Sequence, residues 1–430
     1  MEEQRVPGEE QKAPEEEYSF LQEVIKDEKG SGKKLRSGIL HMIGMGFVFG
    51  LAASFTFYVA KPWMESRFWK EPSQVTIPRD ERDEGEEEEE TGEEQAEEAP
   101  QEEEPVLNTE TYRQMLQSLK DVAKETEKSI VEITGISEEE DWEKELNSSR
   151  YSVAGAIVAD NGQELLIVGK ICPVKDARGI RVTFAGGDNY EGTEKTRDGN
   201  LGLAVYAVPR GAISEDTWTK IDTAVLGNSN LVTAGETAIV LGKPLGDANC
   251  YTYGIISTEM TAKNLSDGQY GVVHTDIAGD ADASGVIVNV RGEVIGLVEQ
   301  TLLEEESRSM LAGYGISDMK AVIEKLSNGQ SVPYVGIYGV DVTEDMQGQG
   351  LPAGMYVKQV EPDSPAMKAG IQNGDVITGV GDTGVVTLSD YHDILMTRSE
   401  GEAIVLKGCR QGTGGEYVDI DFKVTVGAKK

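Results

Sequence analysis

Histidine and cysteine, the usual catalytic base and thiol ligand, are scarce in this sequence of 430 residues. Acyl transfer by a serine needs a neighbouring base, a carboxylate that orients the base, and backbone N–H groups facing the developing oxyanion. The available histidines are His41, His274 and His392, and the cysteines are Cys172, Cys250 and Cys409. No CxxC or Cys/His spacing occurs, so we expect neither a disulfide framework nor a metal site, and no cofactor.

The elements that must position any site are mostly short β-strands. From about residue 129 to residue 300, short apolar runs alternate with Gly, Asn and Asp, which predicts a sandwich or barrel. Helical spacing of apolar residues occurs before this region, over residues 109–128, and after it, over residues 316–326.

An apolar segment near the N-terminus predicts a membrane span. Residues 38–60 would extend about 34 Å as a helix, enough to cross a bilayer. Trp63 and Trp69 follow it, where aromatic rings favour the interface. The excess of Lys and Arg before the span predicts a cytoplasmic N-terminus and extracytoplasmic C-terminal domains.

The charge of the chain is strongly and unevenly negative. The net charge is −37, and residues 80–104 contain 16 acidic residues and one basic residue. Such a segment repels itself and buries little apolar surface, so an extended, disordered linker is predicted. Nucleic acid binding is not expected, because phosphate contacts need clustered Lys and Arg.

Five separated motifs follow one another: residues 129–133 (SIVEI), 155–162 (GAIVADNG), 226–230 (LGNSN), 241–246 (LGKPLG), and residues 275–276 with 285–296, which end in GEVIG. In this order they resemble the HtrA (Deg) family of trypsin-like serine proteases. The resemblance covers roughly residues 110–427. It implies a mostly β fold, with a trypsin-like double six-stranded antiparallel β-barrel and a C-terminal α/β PDZ domain.

The resemblance also assigns each member of the catalytic triad to a position that lacks it. The histidine position falls on Gly169 or Lys170, the aspartate position on Gly202, and the serine position on Ala283. The glycine of the oxyanion hole is replaced by Ala281. These departures predict a catalytically inactive pseudoprotease.

One alternative keeps an active serine endopeptidase with unconventional residues. Ser284 adjoins the expected nucleophile position, and Lys170 lies at or beside the expected base. A Ser–Lys pair is known chemistry on other folds. It would need the loop to slip by one residue and Lys170 to be desolvated.

The C-terminal region resembles an HtrA-type PDZ domain. Tyr334, Val335, Gly336 and Ile337 correspond to its carboxylate-binding loop, in which Gly336 would let a peptide terminus approach the backbone. Such a domain adds a peptide as an extra strand and captures its C-terminal carboxylate on loop N–H groups.

Two capped helices are predicted within this domain. Ser364 would cap one that begins at Pro365, and Ser389 would cap a second through about residue 398. On the second helix, Ile394 or Leu395 would line an apolar peptide groove, together with His392.

These observations predict a single-pass cell-membrane protein of a Gram-positive-like bacterium. The predicted segments are a cytoplasmic tail (1–37), a transmembrane helix (38–60), an acidic disordered linker (61–108), a trypsin-like domain (109–327) and a PDZ domain (328–430). The expected function is binding of peptide or protein C-termini and misfolded proteins in surface quality control. The resemblance implies a homotrimer or a mixed oligomer with an active paralogue.

Overall fold

The computed structural model describes residues 72–80, 108–136, 152–174, 179–304 and 309–430. The predicted cytoplasmic tail and membrane span lie outside these residues. Among the described residues, no helix is both long and apolar enough to span a membrane. The helices are α1 (Thr109–Glu127), α2 (Glu215–Trp218), α3 (Ile316–Ser327), α4 (Glu344–Gly348), α5 (Pro365–Lys368) and α6 (Leu388–Met396). The described fold is mostly β, as predicted.

The first six strands form a closed antiparallel barrel in the order β1-β2-β3-β6-β5-β4. The strands are β1 (Ile130–Ile136), β2 (Ser152–Asp160), β3 (Glu164–Lys170), β4 (Gly179–Thr183), β5 (Asn189–Asp198) and β6 (Leu203–Pro209). Strand β3 is apolar on both faces. Leu165 and Ile167 pack inside the barrel, whereas Leu166 and Val168 join the large core shared with the second sheet. This double burial explains why β3 reads as a continuous apolar run.

The second sheet has seven strands in the order β8-β7-β11-β12-β13-β10-β9. They are β7 (Thr237–Lys243), β8 (Cys250–Ile255), β9 (Thr261–Leu265), β10 (Gly268–Ala278), β11 (Ser284–Val288), β12 (Val294–Val298) and β13 (Met310–Gly315). An antiparallel bridge between Ile256 and Thr275 connects the end of β8 to β10. The additional strand, β9, pairs only with β10. The trypsin-like fold is therefore confirmed, with one more strand than predicted.

The hairpin β9–β10 turns through only two residues, Ser266 and Asp267, because Leu265 pairs with Gly268. Asp267 has a φ of 61°, in the left-handed region that Asp and Asn tolerate better than most residues. This conformation places the Asp267 side chain at the tip of the hairpin.

The C-terminal domain is built on a sheet in the order β14-β15-β16-β18-β19, with β17 paired to β16. The strands are β14 (Ile337–Asp341), β15 (Met355–Val360), β16 (Val376–Val380), β17 (Thr383–Gly384), β18 (Ala403–Gln411) and β19 (Tyr417–Thr425). Ser364 caps α5 as predicted, with Pro365 in the first turn. Helix α6 begins earlier than predicted. Thr387 caps it instead of Ser389, in a capping box with Asp390.

Part of the predicted disordered linker is ordered. The backbone N–H groups of Val75 and Ile77 donate to the side chains of Asn328 and Glu324, which lie at the end of α3. Asp80 accepts a hydrogen bond from the hydroxyl of Ser317 and forms an ion pair with Lys320 at 2.8 Å. Residues 72–80 therefore depart from the prediction, because they have partners on α3 and lie mostly before the acidic run.

Asp198, the last residue of β5, is a buried acid with one carboxylate oxygen that has no hydrogen-bond partner among the described residues. The other oxygen accepts the N–H of Asn200 at 3.0 Å. Burial raises the pKa of Asp198 from 3.8 to about 6. The ionised form is therefore less favourable in the folded protein than in the unfolded chain.

We expect Asp198→Asn to stabilise the protein at pH 8, by about 1–3 kcal/mol. The native Asp contributes stability that is present below its unfolded pKa and is lost as the pH rises through about 6. The gain from Asn should therefore shrink as the pH falls below 6 and nearly vanish by pH 4. Urea unfolding across this pH range measures it, with the exposed Asp382→Asn as the control. A gain that is equal at pH 4 and pH 8 would contradict the prediction.

Candidate functional site: a substituted catalytic centre and a filled carboxylate loop

The positions predicted to have lost the triad meet at the junction of the two β-structures. Strand β3 ends beside the start of β6, with Gly169 paired to Ala204, and Ile171 N–H donates to the carbonyl of Gly202 at 2.9 Å. Lys170, adjacent to Gly169, reaches across the junction and donates to the carbonyl of Ala283 at 3.4 Å. The chain thus brings these substituted positions to one place.

An ion pair occupies this place. The ammonium of Lys170 lies 3.3 Å from a carboxylate oxygen of Glu299, and their side chains are only 19% and 3% exposed. The same Glu299 oxygen accepts the N–H of Thr301 at 3.0 Å. A Cβ added at Gly202 would lie 3.8 Å from the other oxygen. The Glu299 carboxylate therefore lies beside the position where the family places its aspartate.

Sequence reasoning missed Glu299. The residue directly follows the fully buried strand β12, and an acid at the end of such a strand was the one available signal. Its pairing with Lys170 spans 129 residues, so no local pattern reveals it.

The loop before β11 has neither a nucleophile nor a free oxyanion-hole amide at the expected nucleophile position. Ala283 is fully buried, and its N–H donates to the carbonyl of Asp280 at 3.1 Å. The N–H of Asp282 donates to the carboxylate of Asp280 at 2.9 Å. An oxyanion needs such N–H groups directed at the substrate, but here the loop uses them internally.

Ser284, the alternative nucleophile, hydrogen-bonds to the backbone of β2 and not to Lys170. Its hydroxyl accepts the N–H of Ala154 on β2 at 2.9 Å, and the side chain is fully buried. The next residue, Gly285, has a φ of 131°, and an added Cβ would lie 2.0 Å from the carbonyl of Leu241. A one-residue slip would move Val286 into that space, so the close backbone approach opposes the rearrangement that a Ser–Lys pair requires.

The two described histidines have other contacts, and His41 lies outside the described residues. His274 on β10 hydrogen-bonds the hydroxyl of Thr261 at 2.7 Å, and burial lowers its pKa. His392 on α6 contacts the carbonyl of Asp267 at 3.0 Å. Neither histidine pairs with Ser284.

The predicted carboxylate-binding loop of the PDZ domain already holds a carboxylate. The side chain of Asp267 accepts the N–H groups of Val335 (2.7 Å), Gly336 (2.7 Å) and Ile337 (3.0 Å). The hydroxyl of Tyr391 on α6 donates to it as well, at 2.9 Å. Burial raises the pKa of Asp267, and these four hydrogen bonds act in the opposite direction. The loop amides therefore converge on one carboxylate, and this carboxylate comes from the hairpin β9–β10.

Other residues predicted for the peptide site take different places. Tyr334 donates its hydroxyl to Glu361 at 2.8 Å. Leu395 is 1% exposed and belongs to the core of the PDZ domain, with Ile394 packed against the same core. The hydrogen bonds from α6 to Asp267 are made by Tyr391 and His392.

Gly336 is required for a different reason from the one predicted. Its φ is 94°, and an added Cβ would lie 2.3 Å from the Cβ of Ser364. The space beside Gly336 is thus filled by the cap of α5, not left open for a ligand.

Comparison with known proteins agrees with this architecture. A model of the trypsin-like peptidase domain matches residues 154–297, and a model of the PDZ domain matches residues 356–410. Serine protease Do-like HtrA of Lactococcus lactis subsp. cremoris (strain MG1363) is 28% identical over 282 residues, which are 60% of this chain and 68% of that protein. The chain is therefore similar to HtrA-family proteases.

Further relatives and structures fit this assignment. Serine protease Do-like HtrA of Bacillus subtilis (strain 168) is 29% identical over 275 residues, or 59% of each chain. The structure of HtrA-type protease AlgW with decapeptide has a similar fold, with a TM-score of 0.51 and 18% identity, over 73% of this chain and 99% of that one. The chain therefore combines a trypsin-like domain and a PDZ domain.

The ion pair between Lys170 and Glu299 gives a thermodynamic prediction. Lys170→Met should destabilise the protein by about 2–4 kcal/mol, because it leaves a buried carboxylate without its cation. The double variant Lys170→Met/Glu299→Gln should recover at least half of that loss, because no unpaired charge remains. Urea unfolding of the two single variants and the double variant closes the cycle. Strictly additive losses would refute a coupled pair.

Proposed function

We propose that this HtrA-like protein does not hydrolyse peptide bonds and instead binds peptide or protein C-termini, including those of misfolded proteins. The observation that carries the proposal is the buried ion pair of Lys170 and Glu299 at the place of the triad. It stands beside Ala283, which has no hydroxyl group.

The chemistry of acyl transfer supports this proposal. A serine protease needs a nucleophile, a base that takes its proton, and donors for the oxyanion. At this centre the position of the nucleophile is occupied by the methyl group of Ala283. The ammonium of Lys170 donates to Glu299 and to the carbonyl of Ala283. The N–H of Ala283 donates to a carbonyl within the loop. Each requirement is thus unmet independently of the other two.

Binding by the PDZ domain has a separate physical basis. Three backbone N–H groups of one loop converge on a single carboxylate. Backbone amides recognise a carboxylate without any special side chain, so this function does not depend on the lost triad. Quality control or regulation at the cell surface, as a homotrimer or in a mixed oligomer with an active paralogue, is the setting that we propose.

A fluorophosphonate probe and a fluorescent casein substrate test the loss of catalysis. The wild-type protein should neither react with the probe nor cleave casein, under conditions in which an active HtrA protease does both. Ala283→Ser should remain unreactive, because restoring the hydroxyl alone leaves Lys170 paired with Glu299 and supplies no base.

The opposite outcome is equally specific. If the wild type turns over casein, and Ser284→Ala or Lys170→Ala abolishes that turnover, the protein is an active endopeptidase with unconventional residues. Circular dichroism of each variant confirms that it is folded, since Ser284→Ala removes a buried hydrogen bond to Ala154.

We also propose that residues 38–60 anchor the protein in the cell membrane, with the PDZ domain outside. The apolar run and the basic residues before it support this orientation. Protease added to intact cells should remove an epitope tag at the C-terminus, while a tag at the N-terminus survives until lysis. Protection of the C-terminal tag would reverse the orientation.

A further inference from the structure

We infer that Asp267 is an intramolecular ligand of the PDZ carboxylate loop, so that peptide C-termini bind only when the hairpin β9–β10 withdraws. This inference rests on the proposed peptide-binding function and adds a means of regulating it. The hairpin belongs to the trypsin-like domain, and the loop belongs to the PDZ domain, so the contact couples the two.

The first argument is the chemical identity of the occupant. A C-terminal carboxylate would use the N–H groups of Val335, Gly336 and Ile337, and the Asp267 carboxylate already accepts all three at 2.7–3.0 Å. Asp267 itself is 4% exposed. Two carboxylates cannot share these donors, because like charges at this separation repel and the donors are already used.

The second argument is the backbone of the hairpin tip. The N–H of Asp267 donates to the carbonyl of Ile337 at 2.7 Å, and the side-chain amide of Asn264 donates to the carbonyl of Gly339 at 3.3 Å. Ile337 and Gly339 belong to β14, which is the edge strand of its sheet. A PDZ ligand adds to such an edge, so the hairpin takes hydrogen-bonding positions that a bound peptide would need.

The third argument is steric. The hairpin packs tightly against α6, which forms the other wall of the expected groove. A Cβ added at Gly268 would lie 2.7 Å from Nδ1 of His392, and that nitrogen also contacts the carbonyl of Asp267. The hydroxyl of Tyr391 on α6 also donates a hydrogen bond to the Asp267 carboxylate. No peptide can pass between α6 and β14 at this point while the hairpin remains.

The exchange of ligands explains how the contact can be reversible. An incoming peptide replaces one carboxylate by another, so the number of hydrogen bonds to the loop is unchanged. The peptide must therefore gain affinity from contacts that the hairpin lacks, along β14 and in the apolar groove. If the population of the closed form, with the hairpin bound, is about tenfold larger than that of the open form, the apparent affinity for peptide falls by about the same factor.

Asp267→Gly is the sharpest test, because glycine removes the carboxylate and suits the φ of 61° at this position. The probes are fluorescein-labelled decapeptides that end in Val, Leu or Phe, each with a free and with an amidated C-terminus. Fluorescence anisotropy with the full chain should show at least tenfold tighter binding of the free-carboxylate peptides by Asp267→Gly than by wild type. That factor corresponds to about 1.4 kcal/mol. Amidation should remove most of the gain.

Two further variants control for indirect effects. Asp267→Asn keeps the size and tolerates the backbone conformation but removes the charge, so it should raise the affinity in the same direction. Asp382→Gly removes a fully exposed carboxylate elsewhere on the PDZ domain and should leave affinity unchanged. Hydrogen exchange of the amides of residues 335–337 should become faster in Asp267→Gly, and this readout needs no peptide.

The outcomes separate the inference from the function on which it rests. Equal affinity of wild type and Asp267→Gly for free-carboxylate peptides would overturn the intramolecular ligand and leave peptide binding intact. Binding that amidation does not weaken would overturn capture by the carboxylate loop. Binding by neither protein would overturn the proposed function, and with it the inference.

Discussion

The carboxylate of Glu299 is almost completely removed from water, and a buried charge is tolerated only where it is paired and hydrogen-bonded. Lys170 supplies the cation and Thr301 the N–H. Because Lys170 ends β3 and also donates to the carbonyl of Ala283, this requirement holds β3, the end of β12 and the loop before β11 together. The arrangement of the junction at Gly169, Gly202 and Ala283 follows from satisfying one buried acid.

Asp267 is a second buried acid that needs hydrogen-bond donors, and its donors belong to the PDZ domain. Its carboxylate uses three backbone N–H groups and one hydroxyl, with no cation among them. Such a contact can open more readily than one with a buried cation, because the amides and the carboxylate can each return to water without leaving a charge unpaired in the core. The two buried acids therefore stabilise different things: Glu299 a fixed junction, and Asp267 a separable one.

Much of the fold could be predicted because its signals are local. The strand runs, the Ser364 cap with Pro365, and the helix over residues 316–326 all appear where residue type and spacing predict them. The substituted triad positions could also be located, through ordered motifs. The partners of the acids could not, since Glu299 and Lys170 are 129 residues apart and Asp267 reaches a loop 68–70 residues away. Only the three-dimensional packing brings such residues together.

The ordered segment 72–80 has a mechanical consequence. Its contacts run backwards along α3 from the end of the helix, from Val75 on Asn328 to Ile77 on Glu324 and Asp80 on Lys320. A force applied through the preceding chain would load these contacts one after another. Each contact would then break at a lower force than is needed to break all of them at the same time. The segment would thus release its contacts with α3 one by one before tension reached α1, which follows it in the chain.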